Sequence, residues 1–172
     1  MKFRTEIEPQ RCAPIEADAR LVFLGSCFAD NMGERLARQG LAVCHNPLGP
    51  LFNPASMARV VKRALDGVPY TTDDLTARDG VYHALDWPLR FQDHDSEALL
   101  AGLNSRFAAL CEAVAKADVL FFTFGTAWVF RLVETDEVVG NCHKLPADEF
   151  RRERLTTDDI TALWQPLVQR LR

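Results

Sequence analysis

Two short, unbroken apolar runs constrain this chain more than anything else in it. Residues 21–24 (LVFL) and 118–124 (DVLFFTF) are each followed directly by a glycine, Gly25 and Gly125. Both runs are too short for a helix and lack the apolar–polar alternation of a half-buried strand. A run of this kind fits a strand covered on both faces, as in a parallel sheet. Parallel neighbours need long crossovers, and helical patterns stand where the crossovers must be.

After Gly25, Phe28, Met32 and Leu36 recur four residues apart, with Glu34, Arg35 and Arg38 off that stripe and Gly40 where a helix would end. Residues 41–44 form another short apolar run, so 21–44 reads as a βαβ unit with a right-handed crossover. Asn53 before Pro54 is an N-cap followed by a first-turn proline. The helix it opens places Met57, Val60, Val61, Ala64 and Leu65 on one face and stops at Gly67. Residues 68–95 carry turn signals at Asp79-Gly80 and Trp87-Pro88 but no period that assigns an element. A long helix over 96–116 repeats Leu99, Leu100, Leu103, Phe107, Leu110 and Val114 at helical spacing. Beyond the second strong run, 128–133 and 137–140 fit a hairpin about 134–136, and 141–146 is loop. A last helix starts near Thr157, with Pro166 expected to kink it. The predicted fold is α/β: a three-layer, doubly wound, mainly parallel sheet with about three parallel strands plus a small hairpin.

Composition bounds the function. With 172 residues, 48% hydrophobic and 26% charged, the chain suits a single globular domain that removes roughly 70% of its unfolded surface from water. The balance of 20 Lys plus Arg against 24 Asp plus Glu lacks the basic excess that phosphate neutralisation demands, so nucleic acid is not an expected partner. Residues 1–12 (MKFRTEIEPQRC) contain no apolar signal core, and the strongest apolar run, 119–124, is too short to span a bilayer. A cytoplasmic chain with no membrane partner is therefore expected. Cys12, Cys27, Cys44, Cys111 and Cys142 lack C-x-x-C spacing and paired histidines. They are expected to be thiols, with no metal site and no cofactor.

In a doubly wound sheet, ligands bind beyond the carboxyl ends of the strands, where neighbouring crossovers diverge. Residues 25–27, the loop after Cys44 and residues 125–127 should therefore converge. Ser26 and Cys27 lie between a buried strand and a helix N-terminus, where unpaired N–H groups and the helix dipole favour a thiolate or an oxyanion. Each residue also has a plainer reading. Cys27 would be a small buried hydrophobe, Ser26 an N-cap, Gly49 a turn glycine and Gly125 a strand end. His143 would be a loop residue bonded locally, since no carboxylate partner is identifiable to make it a base.

Residues 25–29 read GSCFA. Together with NPLGPLFNP (46–54), FGTAWVF (124–130) and NCHKLP (141–146), they resemble the GSCFA family, a bacterial group related to the SGNH (GDSL-type) esterases and acetylhydrolases. The segments occur in the family's order and span most of the chain. The resemblance implies an acyl-ester hydrolase or acyltransferase acting on an ester of a small molecule or carbohydrate. The SGNH first block is Gly-Asp-Ser, and sliding it onto Gly25-Ser26-Cys27 puts Cys27 at the nucleophile position, with Ser26 as neighbour or alternative nucleophile. The second block implies Gly49 as an oxyanion donor, with Asn53 close by.

The third SGNH block, Gly-x-Asn, reads Gly125-Thr126-Ala127 here and lacks its asparagine, a loss that costs on the order of 10² to 10³ in rate. Gly25, Gly125, Thr126 and Asn141 complete the implied oxyanion and substrate contacts. The Asp-x-x-His that carries the SGNH base is absent, and among His45, His83, His94 and His143 the last lies in a family-like loop and is the local candidate. These departures keep a second reading open: a non-catalytic module of the same fold that holds an anion or carbohydrate. A nucleotide site is more distant, because G-x-G-x-x-G and the Walker lysine are both missing. The resemblance also implies a further strand after residue 172. Residues 1–172 are then a single domain truncated at its C-terminus, with 118–124 as an open edge that invites self-association.

Overall fold

The computed structural model describes residues 14–172 apart from Leu89. Strand β1 (Arg20–Gly25), helix α1 (Cys27–Ala37), strand β2 (Ala42–His45) and helix α2 (Pro54–Asp66) follow the predicted order. Asn53 caps α2 by accepting the Ser56 N–H on Oδ1 at 2.8 Å, and Gly67 at φ 65° closes it. Helix α1 departs from its predicted stripe. Ala29 and Gly33 are buried, with Met32 and Leu36 packed beside them, whereas Phe28 is 57% exposed. Small residues face inward because α1 lies close on the sheet: a Cβ on Gly33 would stand 2.5 Å from the Cβ of His45. The helix ends at Ala37, and Gly40 at φ 91° reverses the chain after it.

Residues 68–95 hold structure that the sequence did not announce. A 3-10 turn at Thr72–Asp74 precedes an antiparallel sheet of β3 (Thr76–Arg78), β4 (Val81–His83) and β5 (Gln92–Asp93). Strands of two or three residues are shorter than any hydrophobic period. Their turn was legible, since Asp79 and Gly80 both adopt positive φ between β3 and β4. Helix α3 (Ser96–Lys116) starts at its Asp95 cap, and strands β6 (Val119–Thr123), β7 (Trp128–Leu132) and β8 (Val138–Val139) follow, the last two as the expected hairpin. Strand β9 (Phe150–Arg154) adds to the other edge of β7. Its sequence, FRRER, has no apolar alternation. It is tied in through the ladder and the Arg131–Glu153 ion pair at 2.5 Å. Helix α4 (Thr157–Arg170) opens on a capping box of Thr156 and Asp159 and continues through Pro166.

Three parallel strands form one sheet in the order β2–β1–β6. The three expected parallel strands and the hairpin are present, and the six strands outside the parallel sheet among the described residues lie in two separate antiparallel sheets of three, more antiparallel structure than the one hairpin expected. The described residues thus form a mixed α/β protein with four α-helices and one parallel sheet. Side chains of β1 alternate between two clusters. Val22 and Leu24 join Met57 and Val61 of α2, Leu103 and Leu110 of α3 and Trp164 of α4, while Leu21 and Phe23 join Ala29 and Met32 of α1. Each fully buried side chain of this size contributes about 1.5 to 3 kcal/mol. Helix α3 is long and apolar enough to cross a membrane by length and composition alone, so residues 119–124 are not the chain's strongest candidate by that measure. Here its stripe of Leu99, Leu103, Phe107 and Leu110 is core. Cys27, Cys44, Cys111 and Cys142 are free thiols; Cys12 lies outside the described residues.

Candidate active site

Strand β1 ends at Gly25 and the chain turns directly into α1, so Cys27 is the first residue of that helix. Ser26 is the N-cap, accepting the Phe28 N–H on Oγ at 3.3 Å and the Ala29 N–H on its carbonyl at 2.9 Å. Cys27 is exposed, contrary to the habit of free cysteine. Its backbone N–H has no acceptor among the described residues, as is usual for the first turn of a helix. The helix dipole is positive at that point.

Three segments pin this turn. Gly25 adopts φ 147°, donates its N–H to Asn46 Oδ1 at 2.8 Å and accepts the Leu51 N–H at 2.8 Å. A Cβ there would collide with the Thr123 carbonyl and Oγ1, so the close approach of β1 and β6 requires glycine. Ser26 donates its N–H to the Thr123 carbonyl at 3.2 Å and to Thr123 Oγ1 at 3.1 Å, and Asn46 Nδ2 donates to the Ser26 carbonyl at 3.3 Å. Gly125 and Thr126 both donate N–H groups to the Phe52 carbonyl, at 2.8 and 3.1 Å. The ends of β1 and β6 and the loop after β2 therefore meet, as the strand order requires. Phe28, Phe52 and Phe124 are exposed on these same segments.

The same bonds account for the other residues that the sequence singled out. The Gly49 N–H closes a turn on the Asn46 carbonyl at 2.7 Å, and its φ of 88° and the Pro88 ring, 2.7 Å from where a Cβ would lie, explain the glycine. Asn53 spends Oδ1 on its cap and donates Nδ2 to Ser56 Oγ at 3.0 Å. Thr126 Oγ1 accepts the Trp128 N–H at 3.0 Å. The oxyanion donors implied at Gly49 and Gly125 are thus engaged in holding loops. Among the N–H groups of Gly25, Ser26 and Cys27, only that of Cys27 is uncommitted within the described residues.

The sequence model of the GSCFA family matches residues 20–172. This chain belongs to the GSCFA family. The match begins at the first residue of β1 and takes in every element through α4. No curated protein and no solved structure matches the chain.

Within this GSCFA chain, His143 and Asn141 sit apart from the turn in their hydrogen bonding. His143 is buried at φ 49°, and its Nε2 donates to the carbonyls of Ala84 at 3.0 Å and Trp87 at 2.8 Å. Its Nδ1 is buried without a partner among the described residues, and the His83 ring lies edge-on at 5.2 Å. Burial, and then the His83 ring, push the imidazole pKa below its ordinary value, although the two carbonyls oppose this. Asn141 Oδ1 accepts the His143 N–H at 2.7 Å. The base expected at His143 is thus occupied in clamping residues 141–143 to residues 84–87.

Sequence reasoning passed over His45, the histidine that the structure pairs with a carboxylate. His45 Nδ1 stands 3.2 Å from Asp30 Oδ1, half-buried at the end of β2, and Gly33 leaves room for its ring. Asp30 follows Cys27 by three residues on α1, a spacing that makes neighbours on a helix surface. The pairing arises only when β2 packs on α1. Among the described residues no group of three or more His, Cys, Asp or Glu side chains is gathered to hold a metal. Burial raises the Cys44, Cys111 and Cys142 thiols above their ordinary pKa.

Proposed function

We propose that this GSCFA chain acts as an SGNH-like acyl-ester hydrolase or acyltransferase, with Cys27 as the nucleophile and an ester of a small molecule or carbohydrate as substrate. The observation that carries the proposal is an exposed cysteine at the first position of α1, on a glycine-dependent turn, with its own N–H uncommitted. In this reading the Cys27 thiolate attacks the ester carbonyl, and the oxyanion forms against the Cys27 N–H at the positive end of the helix. Collapse expels the alcohol and leaves a thioester, which water or a second alcohol then cleaves. His45, oriented by Asp30, is the candidate that accepts the thiol proton and returns it to the leaving alkoxide, since His143 Nε2 is committed. Ser26 occupies the position of the SGNH aspartate. The parallel sheet, with α1 packed on one face of β1 and α2 and α3 on the other, supports the three-layer, doubly wound SGNH arrangement.

The test combines labelling and turnover. Iodoacetamide and a fluorophosphonate probe are mapped by peptide mass spectrometry, and p-nitrophenyl acetate is followed for a burst. Alkylation at Cys27 is expected to abolish the burst, and Cys27→Ala to lose it with folding intact. No labelling of Cys27 or Ser26 above a denatured control, together with no burst, overturns the proposal. The engaged N–H groups of Gly49, Gly125 and Thr126 favour a second reading, a site that holds an anion or carbohydrate without chemistry. Under that reading a carbohydrate ligand raises the melting temperature equally in the wild type, Cys27→Ala and Ser26→Ala.

A further inference from the structure

A cavity of about 800 Å³ opens between α2, α4 and the antiparallel sheet of β7, β8 and β9, and none of its lining comes from residues 25–27, 46–53 or 123–126. Its size falls in the range of small-molecule sites. Alanines make the room: Ala55 and Ala58 of α2 and Ala162 of α4 line it where larger side chains would fill it. The Trp164 indole holds α4 against α2 by donating to the Pro54 carbonyl at 3.0 Å. Leu155 and Leu167 add buried apolar floor. Pro166 and Ala162 both lie on the wall, and proline has no N–H to give the Ala162 carbonyl its helical bond.

The rim is cationic although the chain's net charge is -4. Five Lys and Arg residues line the cavity against three Asp and Glu residues. Two of the carboxylates are already engaged: Glu153 bonds Arg131 at 2.5 Å, and Asp159 bonds the N-cap Thr156 through N–H at 2.8 Å and Oγ1 at 2.7 Å. Three of the cations, Arg59, Lys62 and Arg170, pair with carboxylates that do not line the cavity. Lys62 and Arg170 share one carboxylate, Asp66, at 2.7 and 2.8 Å, and Asp66 does not line the cavity. Arg154 has no ion-pair partner among the described residues. Arg59 pairs with Asp86 and keeps a buried Nε without an acceptor among the described residues.

We infer that this cavity binds an amphipathic carboxylate, a medium-chain fatty acid anion. Its aliphatic body lies on the alanine and leucine floor and its head group lies among Lys62, Arg154 and Arg170. Cationic rim over apolar floor is the complement of an anionic amphiphile, of which a fatty acid anion is the simplest, and a neutral or cationic amphiphile lacks half of it. Neither Cys27 nor His45 takes part, so the inference stands or falls separately from the proposed catalysis.

The experiment is calorimetric titration of the full chain with octanoate, decanoate and dodecanoate below their micellar concentrations, with decanol and decyltrimethylammonium as charge controls. One decanoate per chain is expected. Affinity should rise about fourfold for each added methylene until the cavity is full, which follows from roughly 0.8 kcal/mol per buried CH₂. Decanol should bind at least tenfold more weakly and decyltrimethylammonium weaker still. Lys62→Glu with Arg154→Glu should weaken decanoate tenfold or more. Ala55→Leu, which fills the cavity with a good helix former, should abolish binding with the circular dichroism unchanged; Ala162→Leu serves the same purpose if Ala55→Leu does not fold. Cys27→Ala should bind as the wild type does. Absence of heat up to millimolar decanoate, equal binding of decyltrimethylammonium, or binding unmoved by both the charge reversals and the filled cavity overturns the inference.

Discussion

Replacing Asn46 by alanine removes the side chain that fixes the turn before α1, and its cost can be worked from the contacts. Asn46 is 6% exposed, with Oδ1 2.8 Å from the Gly25 N–H and Nδ2 3.3 Å from the Ser26 carbonyl. In Asn46→Ala the buried Gly25 N–H loses its acceptor, a penalty of about 1 to 3 kcal/mol. The Ser26 carbonyl keeps its bond from the Ala29 N–H at 2.9 Å, so losing the longer bond costs less, about 0.5 kcal/mol. Asn46 also sits at φ 35°, where alanine is strained by about 1 kcal/mol and asparagine or glycine is tolerated. The expected total is about 2.5 to 4.5 kcal/mol, a large part of the usual 5 to 15 kcal/mol of a domain. With a urea slope of about 2 kcal/mol per molar, the midpoint falls by about 1.3 to 2.3 M, read from tryptophan fluorescence. Asn46→Gly separates the two causes: it relieves the strain but not the lost bonds, so it should recover about 1 kcal/mol of the loss. An Asn46→Ala midpoint within 0.3 M of the wild type, roughly 0.6 kcal/mol on that slope, would refute the claim that Asn46 holds the turn.

Three further outcomes follow from the same contacts. Gly25→Ala forces a Cβ onto the Thr123 backbone and should abolish soluble folded protein, whereas Gly40→Ala, with nothing within 4 Å, should cost only about 1 kcal/mol in thermal unfolding; equal yields of the two would contradict the close packing of β1 and β6. His143 has a folded pKa below its ordinary value because of burial, so the unfolded chain takes the proton first as pH falls through about 6.5. Stability should therefore be full above that pH and decline below it, and His143→Gln, which keeps an N–H donor, should flatten the profile between pH 7.5 and 5.5; a flat wild-type profile there contradicts the assignment. Strand β6 pairs only with β1 among the described residues, so its outer edge should drive concentration-dependent association, and a monodisperse monomer by light scattering across the micromolar range would count against it.

Much of the frame was legible from local patterns. The runs ending at Gly25 and Gly125 announced β1 and β6, Asn53-Pro54 and Gly67 bounded α2, and the heptad-like leucines announced α3, because hydrophobic period and caps are local properties of a sequence. The meeting of residues 25–27, the loop after β2 and residues 125–126 was also readable, since strand order in a parallel sheet dictates which ends adjoin. Strands β3, β4, β5 and β9 were not readable. They are too short or too charged to carry a period, and their existence depends on pairing with residues distant in the chain.

For the site, the sequence by itself determined the chemistry on offer: a serine and a cysteine after a glycine at the head of a helix, and four histidines from which a base could come. Tertiary structure decided which of these groups is available. It exposed Cys27, turned the Nε2 of His143 toward two backbone carbonyls and set His45 against Asp30 across the β2–α1 contact. The physical reason is that the reactivity of a thiol or imidazole depends on which hydrogen bonds and how much burial surround it. Those partners come from segments remote in sequence and meet only when the chain is folded.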